Sequence, residues 1–262
     1  GAVRGALALP RASLQALSGT DYGLHPAMSA LLPVWSARHL APVFNVGPLA
    51  QPLTKADYLA APPGAKNVPD ALFSHSDQQV LWESGGRDAV QRTGWGGRAS
   101  AVMGTTNPTL SVGGNGRFGV EDLRSPLVVP GPGSFFGAYG TSPDDLSWEP
   151  MRLRKEALDA LYANPQPLAL GEAYRTQQQT AFEVSARLAG IVEALPGSGQ
   201  APAAVDAAFA PILVQGQLPT DIAAQLYQAA KLIAANTTVL GTRQTFFAQA
   251  GGFDTQIGRA HV

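Results

Sequence analysis

Three groups of residues in this chain have the types and spacing that chemistry needs. The first is Leu72-Phe73-Ser74-His75-Ser76-Asp77-Gln78-Gln79, with Trp82-Glu83 one turn on. A serine at a helix amino terminus is placed for nucleophilic attack in phosphoryl or sulfuryl transfer. There the free N–H groups and the positive end of the helix dipole stabilise an incoming anion. A nearby metal ion would lower the pKa of the hydroxyl and polarise the substrate. The same residues also suit an ordinary helix cap, with Ser74 or Ser76 as N-cap and Asp77 in the first turn. The second group is Asp254, which follows an apolar run and Gly251-Gly252. A hard carboxylate oxygen there suits Zn²⁺, Mg²⁺ or Mn²⁺, and equally closes a turn or caps a helix. The third is His25 in Gly23-Leu24-His25-Pro26, where a ligand role competes with capping of the helix that Pro26 begins. There is no Gly-x-Gly-x-x-Gly after a strand, no Walker motif and no Gly-x-Ser-x-Gly. Gly113-Gly114-Asn115-Gly116 lacks the lysine and apolar helix of a phosphate loop and reads as a plain loop.

The elements that must position these residues are legible in part. Leu24, Ala27, Met28, Leu31, Leu32 and Trp35 form one apolar stripe, which predicts an amphipathic helix over 24–38, kinked at Pro33. His39 at its end is placed to meet its last carbonyls. Residues 1–22 read as irregular. Val43 to Val46 reads as a buried strand ended by Gly47-Pro48, and 242–249 as a second strand. Thr54 caps a short helix over 54–60, and a helix starting at Ser74 stops at Gly85-Gly86. Residues 94–149 hold 12 of the 29 glycines and read as loops and β-ribbons rather than packed helices. Helices are predicted over 151–163 and 168–195, the second with Tyr174, Ala181, Val184, Leu188, Ile191 and Leu195 on one face. A further helix, capped by Thr220 or Asp221, should turn Ile222, Leu226, Ala230 and Ile233 inward. Helices alternating with short buried strands imply an α/β fold with a largely parallel sheet and helices on both faces.

Composition narrows the function classes. At 262 residues the chain can bury a sizeable core, and no run of apolar residues is long enough for a membrane helix. A net charge of −1 gives no steering towards nucleic acid or anionic lipid. The absence of cysteine excludes disulfides and thiolate metal sites. Arginine outnumbers lysine 14 to 4 amid much Ala, Gly and Pro, which reflects GC-rich coding rather than an arginine-based site.

Taken together, several segments resemble a bacterial family, domain of unknown function family 1501. They are Tyr22-Gly23-Leu24-His25-Pro26-Ala27-Met28, Val46-Gly47-Pro48-Leu49, Phe73 to Gln79, Trp82-Glu83-Ser84-Gly85, Gly94-Trp95-Gly96-Gly97-Arg98 and Gly251-Gly252-Phe253-Asp254-Thr255. They run in family order over nearly the whole chain. The resemblance implies a branch of the alkaline phosphatase and sulfatase superfamily, with an alkaline phosphatase-like α/β fold. It also implies a twin-arginine export signal and a place in the periplasm or otherwise outside the cytoplasm. Carried onto this sequence, it makes Ser74 the nucleophile, Asp254 a ligand to a divalent metal (Zn²⁺ first) and His75 a contact to a small anionic ester. The family's early Gly-Gly-Asn-Asp and late Asp-His-Gly segments are absent, so these residues alone do not complete a two-metal site.

The tail Gln256-Ile257-Gly258-Arg259-Ala260-His261-Val262 is the translation of CAG ATC GGA AGA GCA CAC GTC, a common sequencing adapter preceded by one C. Residues 256–262 are therefore expected to be adapter, with 1–255 a single incomplete domain that lacks its leader and its final segment. A native histidine at position 256 would fit the one remaining base and supply an Asp-x-His pair, which suits Zn²⁺. Re-sequencing past codon 255 checks this; a genomic Ile-Gly-Arg-Ala-His-Val followed by a stop would refute it. Sheet edges left open by such a cut favour association, so the chain is expected to express poorly as a monomer. A sharp, reversible thermal transition in a purified monomer is the contrary result. The implied function is a metal-dependent phosphoric or sulfuric ester hydrolase. The alternative is an exported binding or scaffolding protein that keeps the fold without catalysis.

Overall fold

The computed structural model describes residues 8–43, 47, 51–62, 64–65, 67–68, 74–86, 91–241 and 243–251. The chain falls into two compact units, Gly1–Gly47 and Pro48–Val262.

In the first unit, β1 (Gln15–Ala16) pairs antiparallel with β2 (Gly23–Leu24), so 15–24 is a small hairpin rather than irregular chain. Gly19, at a φ of +81°, supplies the turn, and Leu17 is buried beneath it. The predicted helix over 24–38 is broken in two. A 3₁₀ segment, Pro26–Leu31, passes through a non-helical Met28 and runs into α1 (Leu32–Ser36). The tertiary amide of Pro33 therefore sits in the first turn of α1, where it costs no hydrogen bond. His25 is exposed, and its Nδ1 accepts from the Ala27 N–H at 3.1 Å, so it acts as a cap.

In the second unit, α2 (Lys55–Ala60) starts at Thr54, whose hydroxyl and the Asp57 carboxylate satisfy each other's backbone N–H groups. Those hydrogen bonds hold the Asp57 carboxyl below its ordinary range. Next come α3 (His75–Ser84), α4 (Trp95–Met103), β3 (Leu110–Ser111) and β4 (Leu127–Val128). They are followed by α5 (Pro143–Leu146), α6 (Glu149–Ala163), α7 (Ala169–Val192) and α8 (Ala203–Phe209). The chain continues through α9 (Asp221–Ala234), α10 (Asn236–Val239) and β5 (Phe246–Phe247). The sheet has the order β4-β3-β5 with both pairings parallel. The protein is thus α/β with a parallel sheet.

One prediction is corrected here and another is only partly covered by the described residues. Residues 94–149 are largely loop with short strands, as expected, but they also contain the packed helix α4, and their strands β3 and β4 belong to the main sheet, β3 at its centre. These strands are two residues long and too short for periodicity to register; Leu110 and Ser111 are buried on both faces by tertiary contacts alone. Of the strand predicted at 43–46, Val43 is exposed and outside any strand, and 44–46 lie outside the described residues.

Successive strand residues point to opposite faces. Leu110 and its in-register partner Phe246 join Val112, Val129, Leu188 and Val192 in the main core, where α7, α9 and α10 pack. Phe247 points the other way and stacks on Phe118 with ring centroids 5.1 Å apart.

The buried face of α9 is rotated from the predicted one. Leu226 and Ile233 are about half exposed, whereas Tyr227, Gln228, Lys231 and Leu232 are buried. The carboxyl end of α7 is the reason. Its orphan carbonyls need donors. Lys231 Nζ donates to Val192 O at 3.0 Å and to Ala194 O at 2.6 Å. Gln228 Nε2 donates to Val192 O at 3.1 Å and to Pro130 O at 2.6 Å. On α7 the predicted stripe is covered only towards its carboxyl end, where Leu188 is buried and Val184 and Ile191 are half-buried; Tyr174 and Leu195 are exposed. Among the described residues no helix is long and apolar enough to cross a membrane.

Candidate functional site

Helix α3 is fixed at both ends by local chemistry. Ser74 is the N-cap, its Oγ accepting from the Asp77 N–H at 3.4 Å and lying 3.3 Å from Ser76 Oγ. Gly85 takes the left-handed conformation at a φ of +62° and closes the carboxyl end on Leu81 O. Leu81 and Ser84 are fully buried and anchor the helix. This leaves His75, Ser76, Gln79 and Trp82 exposed.

Helix α4 runs against the connection between β3 and β4. Gly94 N donates to Val120 O, and Gly97 N to Phe118 O, each at 2.9 Å. A Cβ on Gly94, Gly96 or Gly97 would come under 3.0 Å from the backbone or ring of residues 117–120. The Gly94-Trp95-Gly96-Gly97-Arg98 segment is therefore a close-approach motif. Its two large side chains reach back to α3. The Trp95 indole donates to Trp82 O at 3.1 Å, and Arg98 Nη2 to Ser84 O at 2.7 Å. Arg98 Nη1 also holds Thr93 O and Thr93 Oγ1, each at 3.1 Å.

The connection leaving β3 then folds over α3. The Glu83 Oε2 atom accepts from the backbone N–H of Arg117 and, at 3.2 Å, of Phe118. The Arg117 guanidinium donates to Gln91 O. Between α3 and this connection lies a cleft of about 600 Å³, lined by Ser76, Gln79, Glu83, Arg92, Asn115 and Arg117 among others. It lies beside the chain leaving the carboxyl end of the central strand, where open α/β sheets place their ligands. Two arginines and the amide side chains of Gln79 and Asn115, with the one carboxylate among the described lining residues, Glu83, already accepting from two backbone N–H groups, make it suited to an anion.

A second cleft of about 420 Å³ adjoins it along α3. It is lined mainly by carbon, from His75, Gln78, Trp82, Phe247 and Gln249, with Gln79 and Glu83 shared between the two. The helical period explains the pairing. Ser76, Val80 and Glu83 form one stripe of α3, and His75, Gln78 and Trp82 the next.

The structure thus places the predicted residues as follows. His75 lines the second cleft. Ser74 is half-buried at the helix start and lines neither of these two clefts; its Oγ lies 3.3 Å from that of Ser76, which lines the first, and its neighbour His75 lines the second. Asp254 lies outside the described residues. The chain leading towards it does reach the site, through Phe247 and Gln249. Among the described residues no group of three His, Asp or Glu side chains could hold a metal ion. The donor set of the first cleft fits an anion and not a cation: two guanidiniums repel a metal ion, and Glu83 Oε2 is already taken by two amides.

Sequence reasoning missed Arg92, Asn115 and Arg117, and gave Glu83 no role. Asn115 belongs to the Gly113-Gly114-Asn115-Gly116 loop, which has no phosphate-loop pattern. Its position at the end of a strand was the available signal, but that strand is itself invisible in the sequence. No family model matches the chain, and no curated protein or solved structure matches it either.

Proposed function

We propose that this chain is an exported, hydrolase-like protein of the alkaline phosphatase and sulfatase superfamily, with helices on both faces of its sheet, that takes small phosphoric or sulfuric esters. One observation carries the reading: a cleft beside the amino end of α3 gathers Arg92, Arg117 and Asn115 opposite Ser76. A tetrahedral dianion matches guanidinium forks and helix N–H groups in both charge and geometry. Ser74 is the proposed nucleophile. Its Oγ attacks phosphorus or sulfur as the bond to the ester oxygen breaks, the serine proton ends on the departing alcohol, and water then cleaves the serine ester, releasing phosphate or sulfate and restoring the hydroxyl. His75 is the proposed contact to the substrate. Asp254 is the proposed ligand for a divalent metal, Zn²⁺ first.

A second reading, an exported binding protein without catalysis, is favoured by one specific observation. The Ser74 hydroxyl caps the Asp77 N–H, as in a helix whose serine is purely structural.

One variant separates them. Ser74→Ala is expected to lower hydrolysis of 4-nitrophenyl phosphate or 4-nitrophenyl sulfate by about a thousandfold or more. Loss of the cap should cost only about 1 kcal/mol of stability. The affinity for inorganic phosphate, read by calorimetry, should stay within about threefold. Unchanged turnover moves the nucleophile elsewhere. Phosphate binding without turnover in either protein selects the binding reading. A wild-type chain that binds neither phosphate nor sulfate overturns both.

A further inference from the structure

The second cleft says what the rest of the ligand looks like. Its wall is aromatic and braced. Trp82 is 48% exposed on the surface of α3. Phe247 stacks on Phe118, and Trp95 meets the Phe118 edge with centroids 4.6 Å apart. The rim at Gln249 is fixed as well. Its backbone N–H donates to Gln225 Oε1 at 2.8 Å, and its side-chain amide to Gly113 O at 2.7 Å. This rigid apolar wall joins the guanidinium cleft through Gln79 and Glu83, which line both.

We infer that the ester this site takes is one of an aromatic alcohol, with its charged group in the first cleft and its flat ring against Trp82 and Phe247 in the second. The inference rests on the anionic-ester reading above. The second cleft, at about 420 Å³, is of a size that holds one ring system. A ring there gains apolar burial and aromatic contact. A polyol would instead lose water from its hydroxyls against a wall of carbon. The charge sits on one side of α3 and the apolar surface on the other, so a ligand must carry both to fill the site. Trp82 is the specificity-determining residue, because its ring lines the second cleft and is about half exposed, while its backbone carbonyl keeps Trp95 in place whatever side chain it bears.

The test is calorimetric titration of the full chain with phenyl phosphate, glycerol 2-phosphate and inorganic phosphate. Phenyl phosphate should bind about tenfold more tightly than glycerol 2-phosphate. Trp82→Leu should reduce that ratio to less than about threefold, with inorganic phosphate affinity changed by less than about twofold. Phe247→Leu gives the same reading from the opposite wall if the Trp82 variant does not fold. Equal affinity for the two esters in the wild type overturns the inference and leaves the anion site standing. So does a preference that survives both substitutions. If none of the three anions binds, the anionic-ester reading itself fails and takes this inference with it.

Discussion

Gly94→Ala is expected to destabilise the protein by about 3–5 kcal/mol, from overpacking together with broken backbone hydrogen bonds. The backbone at Gly94 is ordinary, with a φ of −92° and a ψ of 153°, so no conformational strain enters. The cost is contact. The added methyl would fall inside the van der Waals radii of the Arg117 and Phe118 carbonyl oxygens, which belong to backbone and cannot rotate away. Relief requires α4 to retreat from residues 117–120, breaking the Gly94–Val120 and Gly97–Phe118 hydrogen bonds. The same retreat moves Arg117 and so reshapes the cleft it lines. Gly190→Ala is the control. It lies within α7, a Cβ there meets nothing within 4 Å, and helix propensity predicts a gain of about 0.5–1 kcal/mol. Urea unfolding of the three proteins checks both signs. A Gly94→Ala midpoint equal to wild type would show that the two segments do not approach as described.

Stability is expected to rise by about 1–2 kcal/mol between pH 8 and pH 10, because of Lys231. Burial pushes its ammonium down to about 8 from 10.5, with the Asp206 carboxylate pulling the other way. Between those two values the unfolded chain binds the proton and the folded chain releases it. The unfolded state therefore binds more protons, and folding is favoured as pH increases. Below pH 8 both states are charged and the penalty is constant. Tyr227 sets the upper limit of the window. Burial and its hydrogen bond to Asp206, 2.7 Å long, raise its pKa above the ordinary value, so it opposes the gain once free tyrosine ionises near 10. Lys231→Met should flatten the pH dependence. At pH 9.5 it should also be less stable than wild type, because the Val192 and Ala194 carbonyls lose their donor. Urea midpoints at pH 7.5, 8.5 and 9.5 provide the measurement. A wild-type profile that is flat over this range would mean that Lys231 titrates as a free lysine.

What the sequence determined by itself was the set of features written within one or two turns of chain. Thr54, Ser74 and Thr220 cap their helices, Gly85 closes α3, and α6 and α7 fall close to where the apolar spacing puts them. Caps and periodicity act over three or four residues, so a linear reading captures them. The tertiary structure decided what depends on partners far away. Leu110-Ser111 is a strand only because Phe246-Phe247 and Leu127-Val128 pair with it on either side. Lys231 and Gln228 are buried, against their polarity, because the carboxyl end of α7 offers them carbonyls. The cleft beside α3 is the strongest case. Ser76, Arg92 and Arg117 come from three segments with no local pattern in common, joined through the Glu83 carboxylate and the Arg98 fork. Such long-range hydrogen bonds leave no periodic trace in the chain, because each residue's partner is fixed by how the segments pack and not by spacing along the sequence.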